Sequence, residues 1–130
     1  MIGLDTNVLV RYLVADDAAQ YRTAARLIES GALEGFFISD IVICELVWVL
    51  RDAYEASRQD IVGVLSEIFE TQTFSFSDRD RLYRSLAKYV SQRGDFADYL
   101  IGLHATDAGC DTTLTFDKAL KTDVDFRLAM

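Results

Sequence analysis

The chain has 130 residues, a net charge of −8 and an apolar fraction of 51%. These values predict one packed domain over residues 1–130 and exclude a disordered chain. No apolar run approaches the roughly 20 residues of a membrane-spanning helix, and the N-terminus lacks the basic start of a signal peptide. We therefore expect no membrane partner. The isolated cysteines Cys44 and Cys110 favour reduced thiols in a cytoplasmic protein. A chain this acidic repels nucleic acid unless its acids gather at one place and bind metal ions.

The first part of the chain alternates short apolar strands with amphipathic helices. In chain order we predict a strand at Met1–Leu4, a helix after Asp5, a helix from Asp16 or Asp17 to about Ser30, a strand at Phe36–Ile38 and a helix capped by Ser39. Apolar residues recur at helical spacing in each helix. In the second helix the predicted inner stripe is Tyr21, Ala24, Ala25 and Ile28.

The second part of the chain repeats this alternation. Ser57 with Asp60, and Ser77 with Asp80, are each typical of a capping box that opens a helix. We place the remaining elements at a strand Thr73–Phe76, a helix to about Gln92 with Leu82, Leu86, Tyr89 and Val90 inward, a helix from Asp95 to Gly109, and strands at Thr112–Phe116 and Asp125–Ala129. Strands alternating with helices predict an α/β sandwich with a mainly parallel sheet.

Four acids draw attention because of where they stand. Glu45 lies in IVICELVWVL, a run whose other nine residues are apolar, and burying an unpaired carboxylate is costly. Asp5 and Asp117 follow predicted strands, and Asp98 lies in the first turn of a helix. Ligands gather outside the carboxyl ends of parallel strands, so we expect the four acids to converge. Converging carboxylates repel one another unless a divalent metal ion is bound, so the pattern predicts a metal site.

Each acid also has a structural interpretation that the sequence leaves open. Asp5 is suited to cap a helix, and Asp117 in TFDK is suited to a turn. Asp98 stands three residues after the cap candidate Asp95, where the helix dipole favours an acid. Glu45 can be neutral and hydrogen-bonded, or its helix can be rotated so that the carboxylate reaches water.

Four segments, in this order, resemble the PIN-domain ribonucleases: GLDTNVLVRYLV, CELVWVL, DFADYLIGLHATDAGC and TLTFDKAL. They look most like the toxins of VapBC toxin–antitoxin modules, and the resemblance extends over essentially the whole chain. It implies a three-layer α/β/α sandwich with a mainly parallel central sheet. It also implies an acidic pocket that binds one or two Mg²⁺ or Mn²⁺ ions, and hydrolysis of phosphodiester bonds in RNA.

The resemblance assigns the acids their catalytic roles. Asp5 of LDTN and Asp98 of FAD match the principal metal ligands of the family. Glu45 of CEL matches its middle acid, and Asp117 of TFD matches its fourth. All four are therefore expected to bind metal and to act in catalysis.

Four neighbouring residues are expected to support these acids. Thr6 and Asn7 match the small polar residues that orient ligands or the attacking water in the family. Thr115 is expected to offer a supporting hydroxyl two residues before the fourth acid. Asp95 is expected to cap its helix, and it is near enough in sequence to Asp98 to contribute through a water.

RNA binding also needs a cationic surface. The helix Arg79–Arg93 holds five basic residues against one acid, with a stripe formed by Arg81, Arg84 and Lys88. This stripe is either a phosphate track or an ordinary solvated face. Lys118 and Lys121 follow the fourth acid closely and are the other candidates for RNA contact.

Other functions compete with a toxin nuclease. One is an RNA-processing PIN nuclease outside any toxin–antitoxin module, and another is a binding module that kept the fold without catalysis. An aspartyl-phosphate receiver or phosphatase also places an aspartate at a strand end, but the early acid in DTNVL has no second aspartate two residues later. If the chain is a toxin, the family implies an RNA substrate, a VapB-like antitoxin that covers the acidic pocket, and a homodimer.

Overall fold

The structure is a computed structural model that describes residues 1–31 and 33–130. The chain divides into an N-terminal unit, Met1–Ser77, and a C-terminal unit, Asp78–Met130. Each unit is described by itself. Among the described residues, no helix has the length and apolar character needed to cross a membrane.

The N-terminal unit contains a three-stranded parallel sheet and its connecting helices. Its elements are β1 (Ile2–Gly3), α1 (Thr6–Leu13), α2 (Ala18–Ser30), β2 (Phe36–Phe37), α3 (Asp40–Asp52), α4 (Arg58–Glu70) and β3 (Phe74–Ser75). The strand order is β1-β2-β3, with Phe36 in register with Ile2 on one side and Phe74 on the other. The predicted alternation and the parallel pairing are therefore confirmed in this unit.

The strands are shorter than predicted because each leads directly into a helix cap. The residue after β1, Leu4, still donates its N–H to Phe37 O at 3.0 Å, and Ile38 donates to Ser75 O at 2.9 Å. The chain then turns at Asp5 and at Ser39, whose side chains accept backbone hydrogen bonds from the first turns of α1 and α3. Parallel strands that end in helix caps leave polar side chains at one edge of the sheet.

The helix starts in this unit follow the predicted cap residues. Asp17 caps α2 through a hydrogen bond from Gln20 N at 3.0 Å. Ser57 accepts from Asp60 N at 3.0 Å, and Asp60 accepts from Ser57 N at 3.3 Å. This reciprocal pair is the capping box that the sequence predicts. The predicted inner stripe of α2 is partly wrong, because Tyr21 is 36% exposed.

The C-terminal unit pairs two helices with a two-stranded parallel sheet. Its elements are α5 (Arg79–Ser91), α6 (Phe96–Asp107), β4 (Thr113–Thr115), a short 3₁₀ helix (Lys118–Leu120) and β5 (Phe126–Leu128). β4 pairs with β5 in parallel, with Thr113 opposite Phe126. Gly102 of α6 lies so close to Phe126 that a Cβ at this glycine would stand 2.6 Å from its ring.

Two predictions for α5 are wrong. The helix is capped by Asp78, which accepts from Arg81 N at 2.9 Å, and not by Ser77. Val90, predicted to point inward, is 61% exposed, whereas Leu82 and Tyr89 are buried as predicted. The cap lies one residue later than predicted, at Asp78, whose extended backbone (φ −154°, ψ 95°) precedes the first helical turn.

Candidate functional site

The N-terminal unit presents two of the predicted acids, and the first of them is Asp5. It has extended backbone angles, φ −79° and ψ 157°, and is the N-cap of α1. Its Oδ1 accepts a hydrogen bond from Asn7 N at 3.2 Å. The cap fixes the direction of the carboxylate, and the side chain is nonetheless exposed. The structural interpretation of Asp5 is therefore correct, and it leaves the carboxylate accessible to a ligand.

Glu45 is exposed, although nine of the ten residues in its run are apolar. α3 buries the stripe Ile43, Leu46, Val47 and Leu50. The opposite face carries Glu45 between Ile41, which is 71% exposed, and Trp48, which is 40% exposed. The helix is thus turned so that the carboxylate reaches water. The run is almost entirely apolar because apolar residues lie on its exposed face as well as on its buried face.

The structure brings Glu45 together with Thr6. Thr6 is buried at the start of α1, and its Oγ1 donates a hydrogen bond to Glu45 Oε1 at 2.9 Å. Thr6 follows Asp5 directly in the chain, so its hydroxyl links the start of α1, next to Asp5, to the carboxylate of Glu45 in α3. A hydrogen bond to a carboxylate is stronger than one between neutral groups, so Thr6 orients Glu45. The role of Thr6 in orienting a metal ligand or the attacking water, which the family resemblance implies, stays a prediction.

The C-terminal unit presents the other acids around the start of α6. Asp95 is the N-cap of α6, and its backbone N–H donates to Asp98 Oδ2 at 3.1 Å. Burial of the half-buried Asp98 raises the pKa of its carboxyl group above the usual 3.8, and the nearby carboxylates of Asp95 and Asp117 raise it further. The hydrogen bond from Asp95 opposes this rise without cancelling it. Asp98 therefore lies in a negative field that a cation would relieve.

Asp117 follows β4, as predicted, and caps the 3₁₀ helix. Its Oδ1 accepts from Ala119 N at 2.9 Å, and its own backbone N–H donates to Thr115 Oγ1 at 3.0 Å. The carboxylate is exposed. Thr115 thus fixes the backbone that carries Asp117 and does not contact the carboxylate.

The donor chemistry of these acids fits a hard divalent cation. Mg²⁺ and Mn²⁺ prefer carboxylate oxygens and retain several waters. The pKa of Asp98 is raised by burial and by the neighbouring carboxylates of Asp95 and Asp117, and a cation would oppose both effects. Among the described residues within either unit, no three acidic, imidazole or thiol side chains are already close enough to form a complete cation cage. A cation held by the acids of one unit would therefore take its remaining ligands from water or from oxygens of the substrate.

The stripe Arg81, Arg84 and Lys88 is not a free cationic surface, which argues against the predicted phosphate track. Arg81 Nε lies 2.9 Å from Asp107 Oδ2, and Arg84 Nη2 lies 2.7 Å from the same oxygen. The guanidinium groups of Arg84 and Arg81 lower the pKa of Asp107 to about 2. These arginines therefore hold the end of α6 against α5.

Lys88 belongs to a buried cluster that sequence reasoning missed. Its Nζ contacts Asp123 Oδ2 at 3.0 Å and also contacts Asp125. The side chains of Asp123 and Asp125 are 1% and 11% exposed. Burial alone would lower the pKa of Lys88, but hydrogen bonds to Asp125 and Asp123 outweigh burial and raise it. The sole feature of the sequence that points to this cluster is the pair Asp123 and Asp125, separated by one residue before a strand. That spacing is also typical of an exposed turn.

Lys118 and Lys121 differ from this stripe because both side chains are exposed. Neither forms an ion pair with any part of the chain that the structure describes. They lie on the 3₁₀ helix and at its C-cap, next to Asp117. Of the five cations predicted to contact RNA, these two remain available for phosphate.

Comparison with known proteins supports the prediction from sequence. Residues 2–123 match the PIN domain family, a range that includes every acid described above except Asp125. The chain is 27% identical over 120 residues to a protein named VapC ribonuclease from Aquifex aeolicus (strain VF5), covering 91% of this chain and 88% of that protein. The family match confirms the predicted PIN-like α/β sandwich with a mainly parallel sheet.

Proposed function

From the premise that this chain belongs to the PIN-domain family, we propose that it is a metal-dependent endoribonuclease, the toxin of a type II toxin–antitoxin pair. The observation that supports catalysis most directly is the raised pKa of Asp98 beside Asp95 and Asp117. Clustered acids with perturbed pKa values are typical of functional sites. The similarity to a protein named VapC ribonuclease over nine-tenths of the chain supports the toxin.

The proposed cofactor is Mg²⁺ or Mn²⁺, one or two ions. The residues proposed to hold it are the four acids that the family resemblance assigns to the metal, namely Asp5, Glu45, Asp98 and Asp117. When bound, such an ion lowers the pKa of water and polarises the phosphoryl oxygen of the substrate. Burial of Asp98 and its proximity to Asp95 and Asp117 raise its pKa, and both conditions favour a bound cation.

The chain's own residues orient the reacting groups. Thr6 donates to Glu45 Oε1, and Glu45 Oε2 makes no hydrogen bond within the described part of the chain, so it is available to a ligand or a water. Thr115 fixes the backbone at Asp117. In the proposed reaction, the water oxygen attacks phosphorus, the bond to the 3′ oxygen breaks, and that oxygen takes up a proton. The products are a 5′-phosphate and a 3′-hydroxyl end.

The proposal includes the partners that the resemblance implies. These are an RNA substrate, a VapB-like antitoxin, and a second copy of the chain in a homodimer, acting in the cytoplasm as a single PIN-like domain. The negative charge of −8 is complementary to a basic antitoxin segment. A processing nuclease of the same family would cleave RNA by the same chemistry, and toxicity on expression without an antitoxin separates the two.

Cleavage of total cellular RNA, with Mg²⁺ or Mn²⁺ and with EDTA, tests the proposal. We expect metal-dependent cleavage by the wild type and at least about a 10²-fold loss in Asp98→Asn and Glu45→Gln. Matched controls are Asp111→Asn and Glu70→Gln, because both acids are exposed and stand outside the site. The controls should cleave like the wild type, and circular dichroism verifies that every variant folds.

Two outcomes would contradict the nuclease. One is cleavage that EDTA does not reduce, and the other is equal activity in the site variants and their controls. If the wild type cleaves no RNA, calorimetric titration with Mn²⁺ decides between a narrow RNA target and a module without catalysis. Absence of metal binding would end the nuclease proposal.

A further inference from the structure

A cationic groove lies within the C-terminal unit, and nothing in the catalytic proposal uses it. The groove has a volume of about 390 Å³ and is lined by Ser91, Gln92, Arg93, Lys118, Ala119, Lys121 and Thr122. Three of these residues are cations and none is an acid. We propose that this cationic groove binds phosphates of the single-stranded RNA substrate, and this inference rests on the proposed nuclease function.

The three cations are available because they are not neutralised by the protein. Arg93, Lys118 and Lys121 are exposed, and no ion pair to them is formed by the described residues. Arg84 and Lys88 of α5 differ from them, since Arg84 lies 2.7 Å from Asp107 and Lys88 lies 3.0 Å from Asp123. In a chain with a net charge of −8, three uncompensated cations around one groove favour an anionic ligand.

The two walls of the groove are held together by close packing and by a buried polar network. One wall is the end of α5, and the other is the segment from the 3₁₀ helix to Thr122. A Cβ at Gly94 would stand 2.7 Å from Leu120 Cδ2, so the backbone after α5 packs directly against the 3₁₀ helix. Gln92 Nε2 donates to Asp123 Oδ2 at 3.0 Å, which ties the first wall to the loop that follows the second. A groove with fixed walls requires little ordering when a ligand binds.

The groove is continuous in sequence with a proposed catalytic acid. Lys118 follows Asp117 directly, and Asp117 Oδ1 accepts from the N–H of Ala119, which lines the groove. A phosphate bound by Lys118 would therefore lie at the turn that Asp117 caps. This placement favours an extended RNA strand, whose neighbouring phosphates occupy the groove while one phosphodiester reaches the acids. Such phosphate contacts position the strand without reading its sequence.

Binding of a fluorescent oligouridylate in EDTA, together with cleavage of the same RNA with Mn²⁺, tests the inference. The test variant is Arg93→Gln/Lys118→Gln/Lys121→Gln. The matched control is Arg22→Gln/Arg26→Gln/Arg127→Gln, which removes the same charge from exposed side chains outside the groove. We expect the groove variant to bind at least about tenfold more weakly. The salt dependence of its affinity should fall by up to about 2 in slope, about 0.7 for each phosphate that the variant no longer neutralises. The control variant should bind RNA like the wild type.

The combination of binding and cleavage separates the groove from the nuclease. A wild type that cleaves RNA while the groove and control variants bind equally well would overturn the groove alone. A wild type that binds RNA through the groove, cleaves none and binds no Mn²⁺ in calorimetric titration would support the groove and overturn the nuclease. A wild type that binds neither RNA nor Mn²⁺ would overturn both.

Discussion

Replacing Lys88 with methionine tests whether this residue is a buried structural cation or a contact for RNA. Lys88 Nζ lies between Asp123 and Asp125, whose side chains are 1% and 11% exposed. Removing one partner of a buried ion pair costs roughly 3–5 kcal/mol, because the remaining charge is left uncompensated. Since the Lys88 side chain keeps 19% exposure, we expect the lower end, about 3 kcal/mol. For a chain of this size the loss corresponds to about 10 °C in Tm.

Urea denaturation at neutral pH, followed by circular dichroism, measures this loss. Lys88→Met/Asp123→Asn/Asp125→Asn should return to within about 1 kcal/mol of the wild type, because no charge is then left buried. Burial raises the pKa of Asp123, but hydrogen bonds, one of them from Lys88, outweigh burial and lower it in the wild type. The wild type therefore loses the stabilisation of this pair as pH falls, so Lys88→Met should cost less stability at acidic pH than at neutral pH.

The control for this prediction is Arg22→Met, which removes an exposed cation from α2 and should change stability by less than about 0.5 kcal/mol. If Lys88→Met is no less stable than this control and instead binds RNA more weakly, the buried cluster is refuted. The phosphate track predicted from sequence would then be correct.

Two further substitutions test the site and the groove. Asp98→Asn should stabilise the protein without metal, and more so at pH 7 than at pH 4. The pKa of Asp98 in the folded protein lies above its usual 3.8, so the stability of the wild type falls as the pH rises from 3.8 through the folded-state pKa. Thermal unfolding with and without Mg²⁺ measures the difference, and a variant that is less stable than the wild type at both pH values would contradict the prediction. Gly94→Ala should cost about 1–3 kcal/mol, because its Cβ would lie 2.6 Å from Tyr99 Oη and 2.7 Å from Leu120 Cδ2. The control is Gly63→Ala, whose Cβ would have no atom within 4 Å. In urea denaturation its unfolding free energy should rise by up to about 1 kcal/mol. Equal effects of the two substitutions would refute the close packing at Gly94.

Helix starts were predictable from sequence because their signals are local. Asp17, Ser57 and Asp95 each precede an apolar pattern of helical period, and each caps the helix expected. A cap needs only the side chain and the next three backbone amides. The same locality placed Asp5 and Asp117 at the ends of parallel strands. The order of elements and most of the candidate acids therefore followed from short stretches of sequence.

The surroundings of Glu45 and Lys88 were not predictable because they depend on distant segments. Apolar residues lie on every face of α3, so the sequence does not indicate which face is buried. Ile41 and Trp48 are as apolar as the core residues, yet they are exposed. Lys88 has helical spacing typical of a surface stripe, yet its partners are 35 and 37 residues away along the chain. A contact at that separation leaves no periodic pattern in the sequence.

An acidic nuclease is physically consistent because net charge and local field are different quantities. Beyond a Debye length of about 8–10 Å, an ion pair such as Arg84 with Asp107 acts as a weak dipole, so a paired cation attracts little RNA. The three cations of the cationic groove have no such partner among the described residues, and they follow directly on the Asp117 turn or line the groove beside it. The groove would attract the phosphates of the strand, while a divalent ion at the acids would reverse the sign of the field at the reacting phosphodiester. The prediction that follows is specific: without metal, RNA should still bind through the groove, and restoring metal should strengthen binding in the wild type more than in Asp98→Asn.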